Sequence, residues 1–166
     1  GVSYDGILLS DIQSGAVDVS RYALDNVASL NLAVGGNSDV FISAREAASA
    51  AVFSIETLKE LPQDQRVHMT TQLKFGSFGY ISSFIYYLQS ISKRVTLSAN
   101  GEYIYAENNY PFVLRNGIYK TREHRNNSRM NSGHGELNVY VQKGRNGKVE
   151  GKVYYYDNNR LLPGIV

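Results

Sequence analysis

The chain has 166 residues, of which 43% are apolar and 19% are charged, and this balance predicts one globular domain. There is no cysteine, so disulfides, thiolate catalysis and cysteine-ligated metal sites are excluded. A protein without thiols is suited to an oxidising compartment, which tilts the expectation towards export. The formal net charge of +2 is too small to imply a polyanionic partner by itself. No stretch reaches the roughly 20 apolar residues of a membrane-spanning helix, so no membrane span is expected.

The first predicted elements are two helices, over about residues 20–32 and over 44–61. Apolar residues recur every three or four positions in the second segment, which is typical of one helix face. The expected N-caps are Asp18 or Ser20 for the first helix and Ser43, in a capping box with Glu46, for the second. Between these segments, Gly35-Gly36-Asn37 predicts a turn.

The next predicted elements are a strand over residues 66–75 and a helix over about 77–92. Apolar and polar residues alternate in the first of these, although a helix capped by Asp64 is an alternative. The second contains no charged residue, which predicts burial on most sides. Phe84 and Leu88 are therefore expected to be almost fully buried.

From Arg94 onwards the pattern indicates β-structure, with three Asn-Gly pairs, at 100–101, 116–117 and 146–147, as candidate hairpin turns. Period-two segments flank these turns and predict an antiparallel meander. The sequence thus predicts a single α+β domain in which a helical part, about 1–93, packs on a sheet part, about 94–160.

A long polar connection is predicted over residues 120–135, and it contains two of the three histidines. Cleavage of a phosphodiester in RNA needs a general base, a general acid and a cation for the charged transition state. The residue types fit those roles, so one hypothesis is a ribonuclease-like or toxin-like domain that acts on RNA without a metal or another cofactor. The candidate catalytic residues are His124, His134, Glu136, Arg122 and Arg125. The alternative for this segment is a solvated basic loop.

A second hypothesis is a non-enzymatic binding or assembly module, because the sheet region is rich in tyrosine. Exposed tyrosines beside basic residues contact proteins or glycans, whereas buried ones only stabilise a sheet. The candidate binding residues are Tyr119, Tyr140, Arg129 and Lys120. A third hypothesis is a structural component of a larger assembly, in which the apolar segment 161–166 docks on a partner.

Overall fold

The computed structural model describes residues 1–9, 16–35, 44, 48–57, 64–144 and 147–163. About 70% of the described chain is β-strand and only about 4% is helical. It divides into two compact units, Gly1–Glu60 and Leu61–Val166.

The first unit contains a four-stranded sheet in the order β2-β1-β4-β3. Its strands are β1 (Val2–Tyr4), β2 (Ile7–Leu9), β3 (Val27–Val34) and β4 (Ala51–Thr57). The turn between β1 and β2 consists of Asp5 and Gly6, whose φ angles are 50° and 79°. Two positive φ angles are what a type I′ hairpin turn requires, and Asp-Gly provides them readily. β1 pairs with β2 antiparallel and with β4 parallel.

Asp5 also ties this hairpin to the end of β4. Its carboxylate accepts hydrogen bonds from the backbone N–H and the hydroxyl of Thr57, both at 2.8 Å. Its own N–H donates to the carbonyl of Ile55 at 2.9 Å. Beside Asp5 in the sequence, the ring of Tyr4 stacks on that of Tyr22, with the centroids 4.3 Å apart. The core of the first unit therefore centres on β1 and β4.

The second unit contains a five-stranded antiparallel sheet in the order β11-β10-β7-β6-β5 and a separate hairpin, β8–β9. The strands are β5 (Val67–Gly76), β6 (Tyr80–Ser92), β7 (Val95–Ala106), β8 (Pro111–Asn116), β9 (Tyr119–His124), β10 (Met130–Lys143) and β11 (Gly147–Arg160). Because β7 and β10 are neighbours in the sheet, the hairpin β8–β9 leaves and re-enters the sheet at one end.

One face of the five-stranded sheet, here called the polar face, contains all of its buried residues. Directly paired residues on neighbouring strands share this face, for example Leu88 on β6, Ser98 on β7 and Asn138 on β10. Its buried members are Ser82, Phe84, Leu88, Ser90, Thr96, Ser98, Asn100, Ala106, Glu136, Asn138 and Tyr140. Most of them carry a polar group, so burial on this face depends on hydrogen bonding as much as on apolar packing.

The opposite face, here called the apolar face, is exposed although its side chains are mostly apolar. Its exposed large apolar residues are Val67, Met69, Leu73, Phe75, Ile81, Ile85, Tyr103, Leu137, Val149, Val153 and Tyr155. In a water-soluble antiparallel sheet the apolar face is the one that covers the core. This sheet has the reverse arrangement.

The predicted α+β class is wrong, because the helical part expected over 1–93 consists mainly of strands β1 to β6. The helix expected over 77–92 is the strand β6. Its stripe of Ile81, Phe84, Ile85 and Leu88 divides between the two faces, with Phe84 and Leu88 on the polar face. A strand with apolar residues on both faces lacks a clear period of two, so a helical stripe can be drawn through it by chance.

The other two predicted helices are wrong as well. Residues 51–57 of the segment 44–61 form β4, which is flanked by β1 and β3 and therefore carries large apolar residues on successive positions. The segment 20–32 contains two short 3-10 turns and then β3. The expected capping residues Ser43 and Glu46 lie outside the described residues.

Several of the β predictions are confirmed, and others are wrong. The strand expected over 66–75 is β5. The turn expected at Asn116-Gly117 lies one residue further on, at Gly117 and Ile118, and Asn116 pairs with Tyr119 as the last residue of β8. The pair Asn100-Gly101 lies inside β7 instead, and Asn146 is outside the described residues. The long polar connection expected over 120–135 is also wrong, because β9 and β10 take up most of it.

We predict that the two faces of the sheet respond differently to truncation. Leu88, only 6% exposed, lies on the polar face, and Leu88→Ala should lower the free energy of unfolding by about 2–5 kcal/mol. Leu73, on the apolar face, is 66% exposed, and Leu73→Ala should change it by only about 0.5 kcal/mol. Denaturant titration of both variants measures the difference. Equal losses would contradict the assignment of the two faces.

Candidate functional site

The residues that the sequence predicts as catalytic lie in two separate places. His134 and Glu136 are two positions apart in β10, so both are on the polar face. Arg122 and His124 are in β9, and Arg125 follows directly. Within residues 64–144 and 147–163, no hydrogen bond or ion pair joins the hairpin residues to His134 or Glu136. The structure therefore leaves the predicted catalytic residues in two groups, one on β10 and one on the hairpin, and does not bring these groups together.

Glu136 belongs to a buried polar cluster on the central strands. Its carboxylate accepts a hydrogen bond from Asn138 Nδ2 at 2.7 Å and lies 3.2 Å from Lys152 Nζ. Asn138 Nδ2 also donates to Ser98 Oγ at 3.2 Å. The Glu136 side chain is almost fully buried, so its charge is stabilised by these neighbours and not by water. The roles of Asn138 and Lys152 become apparent only once β7, β10 and β11 are aligned in register.

His134 lies beside this cluster in an environment that disfavours its charged form. Burial lowers the pKa of His134 below its usual value, although Glu102 and Glu136 both act to raise it. Its Nδ1 is 3.8 Å from Glu102 Oε2, and its ring stacks on Tyr154 with the centroids 6.1 Å apart. A neutral, packed imidazole stabilises the sheet in this position.

The hairpin β8–β9 presents its cationic side chains on one face, here called the basic hairpin face. In its register, Arg115 is opposite Lys120, and Arg122 is opposite Val113. Because alternate residues share a face, Arg115, Lys120, Arg122 and His124 lie together. All of these residues are exposed. Two like charges directly opposite each other destabilise an antiparallel pair, so the free hairpin carries an unfavourable electrostatic interaction.

The base of the hairpin is held firmly at the end of the sheet. The N–H of Arg125 donates to the carbonyl of Tyr110 at 3.0 Å, and its guanidinium lies 5.7 Å from the centre of that ring. Tyr110 meets Phe78, from the turn between β5 and β6, edge to face at 6.1 Å. Asn108 and Ser128 close the base, with Asn108 Nδ2 donating to the carbonyl of Ser128 at 3.0 Å. These contacts fix the place where the hairpin emerges.

The apolar face carries no charge along most of its height. Lys143 lies at one end of it and Asp157 at the other, and the other charged residues of the five strands are on the polar face. Tyr87 donates to Gln89 Oε1, and Gln89 Nε2 donates to the carbonyl of Gln65, so these polar side chains are satisfied within the sheet. The face thus offers a continuous and mostly apolar surface.

Aromatic side chains gather at the end of the apolar face where Asp157 lies. Phe75, Tyr103 and Tyr155 are exposed there, close in the sheet to the hairpin base. A shallow groove of about 410 Å³ over Gly133 and Gly135 is lined by Tyr103 and Tyr155. At the opposite end the exposed apolar residues are aliphatic, for example Val67 and Val149. The two ends of the face therefore differ in character.

The residues predicted to bind a partner are distributed over several surfaces. Tyr140 is buried on the polar face, whereas Tyr119 and Lys120 are exposed on β9. Arg129 is exposed just before β10, and its carbonyl accepts a hydrogen bond from the N–H of Leu161 at 2.9 Å. The apolar C-terminal segment is described only as far as Pro163.

Comparison with known proteins does not assign the chain to a group: no family model matches it, and no curated protein is similar to it. In the part of the chain that the structure describes, no helix has both the length and the hydropathy to cross a bilayer. The same residues contain no group of three histidine, aspartate or glutamate side chains placed to hold a metal ion.

We predict that the ion pair between Glu136 and Lys152 is strongly coupled. Lys152→Met should lower the free energy of unfolding by about 3–5 kcal/mol, because it leaves a buried carboxylate without its cation. The double variant with Glu136→Gln should be more stable than Lys152→Met alone. Denaturant titration of the wild type and the three variants completes the cycle. Simple additivity of the two changes would contradict the coupling.

The lowered pKa of His134 predicts a dependence of stability on pH. The unfolded state binds a proton near pH 6.5 and the folded state only at lower pH, so stability is greatest above 6.5 and falls as the pH drops below it. In His134→Gln this part of the decline should be absent. Unfolding free energies measured from pH 8 to pH 5 test this, and an unchanged slope in the variant would contradict it.

Proposed function

We propose that the five-stranded sheet is a non-enzymatic docking element whose apolar face lies against the hydrocarbon of a lipid layer. The observation that carries the proposal is the reversal of the two faces: the polar side is buried, and the uncharged apolar side is exposed. Water-soluble monomers rarely expose contiguous apolar patches larger than a few hundred Å². The apolar face extends over five strands.

The free energy available from covering this face is large. Each fully covered Val, Leu, Ile, Phe or Met side chain contributes about 1.5–3 kcal/mol. Phe75 and Val153 are 74% and 67% exposed, so most of that contribution is still unrealised in the isolated chain. An apolar surrounding is therefore needed to stabilise the sheet in this arrangement.

The height of the uncharged zone supports lipid as the apolar surrounding. On β10 it extends from Gly133, which pairs with Asp157, to Lys143. That segment has 11 residues, and a tilted strand that crosses the roughly 30 Å hydrocarbon core of a bilayer has about 9–11. On the apolar face, charged residues occur at both ends of this zone and none lies between them. This distribution fits a lipid layer that has water on each side.

The polar chemistry of the face also favours lipid over a protein partner. Protein interfaces carry about one hydrogen bond per 100–200 Å² and have a polar rim. Tyr87 and Gln89 already satisfy each other within the sheet, as groups in hydrocarbon must. Two exposed tyrosines, Tyr103 and Tyr155, lie towards one end of the face beside Phe75, and the amphipathic ring of tyrosine is enriched at lipid–water boundaries.

The alternative of phosphodiester cleavage has less support from the geometry. It needs His124 and His134 to reach one phosphate, but one is exposed on the hairpin and the other is packed on Tyr154 in the sheet. The hypothesis of an RNA-directed enzyme predicts cleavage of mixed RNA by the purified chain in the presence of a chelator. The docking proposal predicts none.

We predict that a fluorophore on the apolar face is in contact with acyl chains. The chain has no tryptophan, so a single introduced tryptophan reports on its own position. Leu137→Trp or Val153→Trp, both on the apolar face, should lose fluorescence in vesicles whose acyl chains carry bromine. Quenching requires contact with the brominated carbons and therefore measures lipid contact directly.

The matched control is Tyr154→Trp, the neighbour of Val153 on the other face of the same strand. Its fluorescence should not change on transfer from ordinary to brominated vesicles. Equal quenching at positions 153 and 154, or failure of the chain to associate with vesicles, would contradict the proposal. Without vesicle association, capture of the apolar face by a protein would become the better explanation.

A further inference from the structure

We infer that the basic hairpin face, made of Arg115, Lys120, Arg122 and His124, binds the phosphate groups of anionic lipids. The inference rests on the proposed lipid contact of the sheet and adds a specific headgroup chemistry to it. The sheet needs only hydrocarbon, whereas the hairpin needs negative charge. The two requirements can therefore be tested separately.

The charge distribution of the hairpin is the first argument. Residues 107–129 contain five Lys or Arg and two Asp or Glu, whereas the whole chain has a net charge of only +2. Glu123 lies on the opposite face of the hairpin, opposite Phe112, so it does not neutralise the cations. Arg115 and Lys120 form a like-charged cross-strand pair, which an anion between the two side chains would convert from repulsion to attraction.

The position of the hairpin is the second argument. It emerges between β7 and β10, at the aromatic end of the apolar face. The contacts of Tyr110 with Phe78 and Arg125 hold its base there. In a lipid layer, phosphates lie just outside the level at which aromatic rings collect. A hairpin anchored at that level carries its cations into the phosphate region.

The chemistry of the side chains is the third argument. Arginine provides a planar fork of donors that matches phosphate oxygens, and lysine adds a compact positive charge. All four residues are exposed, so they lose little hydration on reaching a phosphate at the surface of the layer. Each Lys or Arg near an anionic surface contributes roughly a fivefold gain in membrane affinity.

The test compares vesicles of phosphatidylcholine with vesicles that also contain phosphatidylglycerol. The full chain should bind the anionic vesicles at least about tenfold more tightly. The variant R115Q/K120Q/R122Q should lose that preference and keep its binding to phosphatidylcholine. The control K93Q/R94Q/K148Q removes the same charge from exposed positions at the opposite end of the sheet, away from the like-charged hairpin pair, and should lose much less of the preference.

Each other outcome has a separate meaning. Equal binding of the wild type to both vesicles overturns the headgroup inference and leaves the apolar contact in place. A loss of the preference in the control variant as large as in the hairpin variant also overturns it, because net charge alone then explains binding. Absence of binding to either vesicle overturns the inference together with the proposed function.

Two further probes separate lipid phosphate from other sources of phosphate. Without lipid, the wild type and the hairpin variant should bind inorganic phosphate at millimolar concentration to the same small extent. A single-stranded RNA should bind the wild type and the hairpin variant equally weakly. If either probe depends on the hairpin cations while the vesicles do not, the anion is not a lipid headgroup and the inference is overturned.

Discussion

The register shared by β7, β10 and β11 is the constraint on which the rest of the second unit depends. Antiparallel pairing without a shift across β7, β10 and β11 assigns each side chain to one face, because successive residues alternate. A slip of one residue would place Glu136 and Lys152 on the apolar face and Leu137 among the buried polar groups. The reversed arrangement of the two faces is therefore a property of the whole sheet and not of single residues.

Polar contacts make that register specific. Glu136 meets the cation of Lys152 on β11, and Asn138, which donates to Glu136 within β10, also donates to Ser98 on β7. A shifted register would therefore bury the Glu136 charge without its counter-ion. An apolar core tolerates small displacements, whereas a hydrogen-bonded cluster at 2.7–3.2 Å does not. On this sheet the usual division of roles is exchanged. Polar groups specify the alignment, and apolar groups are directed outwards.

Parts of this arrangement could be predicted from the sequence. The alternation in residues 67–75 and the Asn-Gly pair at 116–117 are local signals. The strand is confirmed, and the hairpin turn forms one residue later than the pair predicts. The burial of Phe84 and Leu88 was also predicted correctly, although the helix predicted to contain them is the strand β6. Burial depends on the apolar character of a side chain, and that is the same in a helix and in a strand. In β6 apolar and aromatic residues lie on both faces, and no local pattern then separates a strand from a helix.

The candidate sites were harder to predict than the strands, because each is formed by residues that only strand pairing brings together. His124 and His134 are close in sequence, and a flexible loop would have allowed them to meet. The pairing of β9 with β8 and of β10 with β7 holds them on different sheets. Conversely, Arg115 and Lys120 become neighbours only through the hairpin turn. The exposure of the apolar face is a property of five strands together, so no single segment contains that signal.

The parallel pairing of β1 with β4 has a consequence for the order in which the chain folds. Asp5 and Thr57 are separated by 52 positions, and the chain between them must be closed into a loop before their hydrogen bonds form. β5 and β6 instead pair with their immediate successors, β6 and β7, through short turns. Contacts between close neighbours form faster than contacts across long loops. The three-stranded part of the second unit is thus expected to assemble while the first unit is still incomplete, and its outward-facing Met69, Leu73 and Ile85 are then exposed to self-association from an early stage of folding.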